Sequence, residues 1–300
     1  MRELVIAGRR ITDDEPAWVC AELGCNHGGS LNTAIEMIRA SAKAGASAVK
    51  LQKRDNATLY ASALLEQPYE NEISFGATYG LHRQALEFSR EQYETCQYKA
   101  HANQIAFFAT AFDEPSVDFL VDLEVPAIKI HSGGLTDESL IKHVASMELP
   151  VILSTGGGTS EDIDRAFLWL GECPRAILHT TASYPLLPAE ANLRMIGTLR
   201  KRYPQTVIGF SSHHTGIALS FVAYALGARI IEHHVTLDRS SKGTDHGFSL
   251  EMQGLAKLVE DLGKARDALG DGVKRFYLSE RGPISKMRRV QTPEGLRITR

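Results

Sequence analysis

The feature that most constrains this chain is a recurrence. Eight short runs rich in apolar and β-branched residues alternate with longer segments of helical periodicity. The runs place strands at Trp18–Glu22, Ala48–Gln52, Gln104–Thr110, Ala127–Ile130, Val151–Thr155, Ala176–Thr180, Thr206–Ser212 and Ala228–His234. Between and after them the periodicity places helices at Asn32–Ala44, Gln84–Ala102, Pro115–Leu123, Asp137–Met147, Glu161–Leu170, Ala189–Arg202, Gly216–Leu226 and Met252–Leu269. Thr136 before Asp137, and Ser160 before Glu161 and Asp162, read as helix N-caps, since acids suit the positive end of a helix dipole. Gly45 and Gly227 read as helix ends just ahead of a strand.

Strands that read as continuous apolar runs, each followed by a crossover helix, pair in parallel and are buried on both faces. Eight such units predict the α/β class and a closed (β/α)8 TIM barrel, which typically takes ~250 residues. A doubly wound open sheet is the runner-up, disfavoured by the number of units and by the lack of a GxGxxG fingerprint. Leu4–Ile11 reads as a short hairpin or plug before the first strand. The barrel is expected over residues 1–287, with a basic tail over 288–300.

Composition narrows the function classes. The chain has 300 residues, of which 43% are hydrophobic and 23% charged, and a formal net charge of -3. No strong basic excess points to nucleic acid or an anionic membrane as the main partner. No apolar run approaches the ~20 residues that span a bilayer, and the first ten residues lack a signal-peptide core. Cys20, Cys25, Cys96 and Cys173 form no CxxC pair. Free thiols and a cytoplasmic location are therefore expected.

In a barrel of this kind the C-terminal strand ends share one mouth, where catalytic groups sit. The predicted ends offer Glu22; Lys50 and Gln52; Thr110; Lys129 and Ser132; Ser154 and Thr155; His179 and Thr181; Ser211, His213 and His214; and Glu232, His233 and His234. The lysines and the hydroxyls of Ser132, Ser154 and Ser211 form an anion cradle suited to phosphate or carboxylate. Glycine-rich runs at His131–Gly134 and Ser154–Gly158 let backbone N–H groups approach it. The bland alternative is that the lysines pair with Glu22 or Asp245. The doublets His213-His214 and His233-His234, on adjacent strands, offer a ligand pair for manganese, iron or zinc. Strand alternation turns only one member of each doublet into the mouth, and spacing does not say which.

Several stretches resemble the sialic acid (N-acetylneuraminate) synthase family: Ala21–Gly29, Ala48–Gln52, Tyr79–Arg83, Pro126–Gly134, Val151–Gly157, Ser183–Pro185, Gly209–Gly216 and Glu232–Glu251. The resemblance covers roughly residues 15–288. It implies a phosphoenolpyruvate-condensing TIM barrel in which C3 of phosphoenolpyruvate attacks the aldehyde of an open-chain aldose. Water adds at C2, and phosphate leaves by C–O cleavage to give a 2-keto-3-deoxy sugar acid. The family's phosphoenolpyruvate contacts fall on Lys50, Thr110, Lys129, Ser132, Ser154 and Ser211, and its sugar-facing positions on Gln52 and Tyr184. Its divalent metal, expected to be Mn2+ with Mg2+ or another divalent ion as alternatives, falls on His213 and His234. Glu22, Lys129 and Asp245 are the implied catalytic residues, with Glu22 suited to orient or deprotonate the attacking water.

Three departures bear on the sugar. Gly134 stands where N-acetylmannosamine-using members carry an acid, and Ala182 stands where some carry asparagine. The chain ends near where those members continue into a C-terminal antifreeze-like domain that contacts the acetamido group. An aldose lacking that group is therefore the expected substrate, and any homodimer is expected to use barrel surfaces. Two alternatives stand beside this one. The first is a synthase acting on a phosphorylated aldose, favoured by a second basic patch for which Lys53, Arg54 and Arg83 are candidates. The second is a catalytically silent sugar- or phosphoenolpyruvate-binding barrel.

Overall fold

The computed structural model describes residues 2–299. A two-stranded antiparallel hairpin, β1 (Glu3–Ile6) and β2 (Arg9–Thr12), comes first. It buries Leu4, Ile6 and Ile11 and lies by the N-terminal strand ends, where Arg9 donates to Ser47 Oγ at 2.8 Å. Eight parallel strands follow: β3 (Trp18–Gly24), β4 (Ala48–Lys53), β5 (Ala106–Ala111), β6 (Ile128–Ile130), β7 (Val151–Ser154), β8 (Arg175–Thr180), β9 (Val207–Ser212) and β10 (Ile230–Thr236). Each pairs with the next, and β10 pairs with both β9 and β3, which closes the (β/α)8 barrel. The short strand β11 (Leu250–Glu251) extends from β10.

The helices are α1 (Leu31–Lys43), α2 (Asn56–Leu59), α3 (Ser62–Leu65), α4 (Tyr79–Leu86), α5 (Arg90–Ala102), α6 (Glu114–Asp122), α7 (Glu138–Ser146), α8 (Ser160–Leu170), α9 (Arg194–Arg202), α10 (Ala218–Ala225) and α11 (Met252–Leu269). Side chains of Ser30, Ser89, Asp113, Asp137 and Thr159 cap α1, α5, α6, α7 and α8 by accepting a backbone N–H from the first turn. Two caps thus fall one residue away from expectation, on Asp137 and Thr159. A carboxylate beats the neighbouring Thr136 at the first, and Thr159 forms a reciprocal capping box with Asp162 at the second. Gly45 and Gly227 do end helices, at φ +85° and +104°.

The expected single helix Gln84–Ala102 is two helices, α4 and α5. Ser89 and Gln92 form a capping box that starts α5 afresh, and Glu87 in the break turns its side chain toward the barrel mouth. The stretch 56–83, which the sequence reading left without elements, lies between β4 and α5 on the mouth side.

Strand register sets the interior. Glu22 pairs with Lys50, Gln52 with Thr110, Thr110 with Lys129, and Ser211 with both Thr180 and Glu232. Alternation turns these side chains to the barrel axis and the neighbouring Ile, Val and Leu residues to the helix layer. Below the polar ring Trp18 and Phe108 meet at a centroid distance of 5.8 Å. The compact unit holding the barrel spans 1–265. The second unit, 266–300, contains α12 (Arg281–Met287) and the hairpin β12 (Val290–Thr292) with β13 (Gly295–Arg297). No described helix is long and apolar enough to cross a membrane.

Candidate functional site

A cavity of about 330 Å³ opens at the C-terminal ends of the strands, and all twelve candidate residues line it: Glu22, Lys50, Gln52, Thr110, Lys129, Ser132, Ser154, Tyr184, Ser211, His213, His234 and Asp245. So do Arg54 and Arg83, candidates for a second basic patch, Glu232, named among the strand ends, and Cys25, Phe112 and His131, which the sequence reading left out of the site. Four cationic and three carboxylate side chains share this space.

The lysines are not bare. Lys50 pairs closely with Glu22, donates to Thr110 Oγ1 at 2.7 Å and lies 3.9 Å from Glu232. Lys129 reaches both Glu232 oxygens at 2.8 and 2.9 Å, and Ser211 donates to the same carboxylate at 3.2 Å. The pairing alternative therefore holds in part, with Glu22 as one partner but Glu232, not Asp245, as the other. Burial pushes the Lys50 ammonium down to about 8 against the opposing pull of Glu232. Burial would raise the Glu232 carboxyl, yet Lys129 and Lys50 outweigh it and hold that carboxyl well below the usual range. Both lysines are nearly inaccessible, at 2% and 3% exposure, so an anion entering the cavity meets charges that are already positioned.

Glu22 also accepts from Gln52 Nε2 at 2.8 Å. Gly24, at a register shift in β3 with φ +54°, passes beneath this group. A Cβ there would come within 3.2 Å of Glu22 Oε1 and 3.4 Å of both Gln52 Nε2 and His234 Nδ1. Only glycine fits that turn without pressing on three side chains of the cavity.

The histidine doublets divide by strand alternation. His213 and His234 face the cavity with ring centroids 5.5 Å apart. His233 points outward to Ser220 Oγ at 3.1 Å, and His214 donates to Leu186 O at 3.2 Å. His213 Nδ1 donates to Thr181 O at 2.8 Å, which fixes its tautomer and leaves Nε2 with a free lone pair. His234 Nδ1 is buried, lacks a hydrogen-bond partner and lies 3.5 Å from Asp245. Burial lowers both imidazoles below their ordinary value, so they are neutral donors. This donor chemistry fits a divalent cation. Among the described residues no three His, Cys, Asp or Glu side chains gather as a complete ligand set. Tyr184 packs against His213 with ring centroids 4.1 Å apart and planes tilted by 35°, and it is half exposed at the rim.

Ser132 and Ser154 complete the opposite wall. Ser132 Oγ accepts from Gly156 N at 3.1 Å, and a Cβ on Gly156 would lie only 2.7 Å from that oxygen. Gly134 does not line the cavity. It is buried in the turn after β6, where a Cβ would meet Ile130 at 3.0 Å and Leu140 at 3.3 Å. The wall near that turn is made instead by His131 stacked on Phe112 at 4.0 Å, with the Arg54 guanidinium 3.5 Å over Phe112. All four cysteines are free, and Cys25 alone of them faces the cavity.

Arg54 was legible by alternation, since it follows Lys50 and Gln52 at a spacing of two along β4. Glu232 stood among the strand ends in sequence, but nothing there marked it as the partner of Lys129. Phe112 and Cys25 carried no signal beyond their position just past a strand.

Known proteins share both sequence and fold with this chain. The chain is 36% identical over 299 residues to human N-acetylneuraminate-9-phosphate synthase, covering 97% of this chain and 83% of that one. It is 34% identical to N,N'-diacetyllegionaminic acid synthase of Legionella pneumophila, covering 86% and 74%. The solved structure of N-acetylneuraminic acid (sialic acid) synthetase from Leptospira borgpetersenii superposes with a TM-score of 0.82 at 33% identity, covering 94% and 95%. The sequence profile of the NeuB family matches residues 37–274, and the chain belongs to that family.

Proposed function

We propose that this barrel condenses phosphoenolpyruvate with an open-chain aldose, giving a 2-keto-3-deoxy sugar acid and phosphate. The observation that carries the reading is the single cavity in which Lys50, Lys129 and three serine hydroxyls face Glu22 and the pair His213 and His234. Lys50, Lys129, Thr110, Ser132, Ser154 and Ser211 hold the phosphate and carboxylate of phosphoenolpyruvate. A bond forms between its C3 and the aldehyde carbon, and a cationic centre develops at C2. The carboxylates of Glu22 and Glu232 stabilise that centre electrostatically. Glu22, held by Gln52 and Lys50, takes a proton from the water that adds at C2. The C2–O bond to phosphate then breaks and the water oxygen becomes the ketone. Gln52 and Tyr184 face the sugar.

His213 and His234 would hold a divalent cation, with manganese the expected ion. When bound, it supplies Lewis-acid stabilisation of the oxygen on which negative charge develops. Asp245, beside His234, orients that imidazole.

The test is phosphate release from phosphoenolpyruvate with manganese and a panel of aldoses, with and without chelator, in H2(18)O. The expected result is aldose-dependent release with the label in the keto acid. Label in the phosphate would refute C–O cleavage, and no release with any aldose would refute condensation.

A further inference from the structure

The cavity contains a second set of cations that phosphoenolpyruvate binding does not use. Arg54, at the end of β4, lies flat on Phe112 and donates from Nη2 to Gln52 Oε1 at 2.6 Å, while its Nε and Nη1 are buried without a partner. Arg83, on α4, is likewise buried with an unpartnered Nε, and its nearest polar neighbours are Cys25 Sγ at 4.0 Å and Glu87 at 3.9 Å. Lys53 approaches from the outer side, 3.3 Å from Glu87. Three cations thus surround the one carboxylate of Glu87, which leaves about two positive charges uncompensated. Buried guanidinium N–H groups without acceptors are costly, and an anion in this place would supply both the acceptors and the missing charge. Arg83 also borders a side pocket lined by Tyr69, Phe75, Tyr79 and His82 that runs on from the main cavity.

We propose that Arg54 and Arg83 form a subsite for a phosphate monoester at the end of the aldose remote from its aldehyde, so that the substrate is a phosphorylated sugar. A phosphate monoester carries about -1.5 to -2 charge at neutral pH, which matches the excess. Its oxygens accept the parallel N–H donors that guanidinium presents and ammonium does not. The Glu22–Gln52–Arg54 chain spans from the water-activating carboxylate to this subsite, so a substrate held at both ends is aligned across the reacting centre. This assignment rests on the condensation reading and names its sugar.

Two measurements test it. In turnover, Arg83→Gln and Arg54→Gln should lower kcat/KM for a hexose 6-phosphate by about 10²-fold or more. Arg83→Gln, which touches neither Gln52 nor Glu22, should alter the value for the unphosphorylated hexose and the KM for phosphoenolpyruvate less than threefold. Arg83→Lys should recover part of the loss, because it restores charge without the fork. Equal losses on both sugars, or a rise confined to the KM for phosphoenolpyruvate, would overturn the assignment, the latter placing the guanidinium groups on phosphoenolpyruvate itself. In calorimetry without phosphoenolpyruvate, the hexose 6-phosphate should bind the wild type more tightly than the hexose. That advantage should vanish in Arg83→Gln, while thermal unfolding confirms an intact fold. An unchanged advantage would overturn the subsite. If no sugar turns over but the calorimetric difference holds, the condensation reading fails and the subsite stands.

Discussion

Replacing Glu232 by glutamine keeps the shape of the side chain and removes the charge that two buried lysines share. Lys129 loses two charge-assisted contacts, at 2.8 and 2.9 Å, and Lys50 loses a carboxylate 3.9 Å away. Breaking a buried pair by removing one partner costs about 3–5 kcal/mol. Lys50 keeps Glu22, and the cavity admits water near Lys129, so the expected loss lies at or below the bottom of that range, roughly 2–3 kcal/mol. At about 2–4 °C per kcal/mol that is a fall of roughly 5–10 °C in Tm. The loss should depend on pH in a stated direction. Burial already brings Lys50 down to about 8 with Glu232 opposing, and without Glu232 it falls further. A lysine whose folded value lies below its unfolded value makes the folded state bind fewer protons. Stability therefore rises with pH from the folded value toward the unfolded one. The variant enters that rise earlier, so its deficit against wild type is largest near pH 6 and narrows toward pH 8. Phosphoenolpyruvate supplies negative charge to the same lysines and should raise the variant's Tm more than the wild type's. Urea and thermal unfolding at pH 6 and 8, with and without the ligand, measure all of this. A loss under about 1 kcal/mol, or a deficit equal at both pH values, would refute the charge-sharing account.

The other expectations are briefer. Glu22→Gln should bind phosphoenolpyruvate within about threefold of wild type by calorimetry and lose roughly 10²-fold or more in kcat, the usual scale of a general base; wild-type turnover would remove Glu22 from the mechanism. His213→Ala should abolish calorimetric Mn2+ binding while leaving the unfolding transition within a few degrees, and full metal affinity would refute the ligand assignment. Gly24→Ala must adopt φ +54° and crowd Glu22, Gln52 and His234, so it should cost roughly 1–2 kcal/mol and lower kcat more than tenfold. If kcat survives, that turn does not hold the site together.

The parts of this architecture readable from sequence are those governed by short-range rules. Continuous apolar runs, whose side chains alternate between two faces, admit few topologies when crossover-length helices separate them, and the barrel followed from counting them. The same alternation placed Lys50 and Gln52 on one face of β4, and Thr110 and Ser211 on the inner faces of β5 and β9. It also required one histidine of each doublet to turn away, and His214 and His233 find outer partners in Leu186 O and Ser220. What sequence hid were partnerships across the barrel. Lys129 and Glu232 are 103 residues apart, and their pairing depends on which strands are joined when the barrel closes, a fact that no local pattern contains.

The break between α4 and α5 is the more instructive miss, because its signal was present. Apolar periodicity continues through Leu86 and Phe88, which favours one long helix. Ser89 and Gln92 form a start signal that outweighs it. Were the helix continuous, the backbone at Glu87 would be helical. Instead Glu87 adopts extended geometry, with ψ 139°, and its carboxylate reaches Lys53 and the Arg54 backbone N–H. The interruption brings α4, and with it Arg83, over the barrel mouth while anchoring that arrangement to the end of β4. A local departure from helical pattern is thus what joins a segment outside the barrel to the site within it. Changing Ser89 to alanine would remove the cap, at about 1 kcal/mol, and should loosen Arg83 before it disturbs the lysines. The effect would then fall on the KM for the sugar and leave that for phosphoenolpyruvate in place; equal rises in both would show that α4 is no separate recognition element.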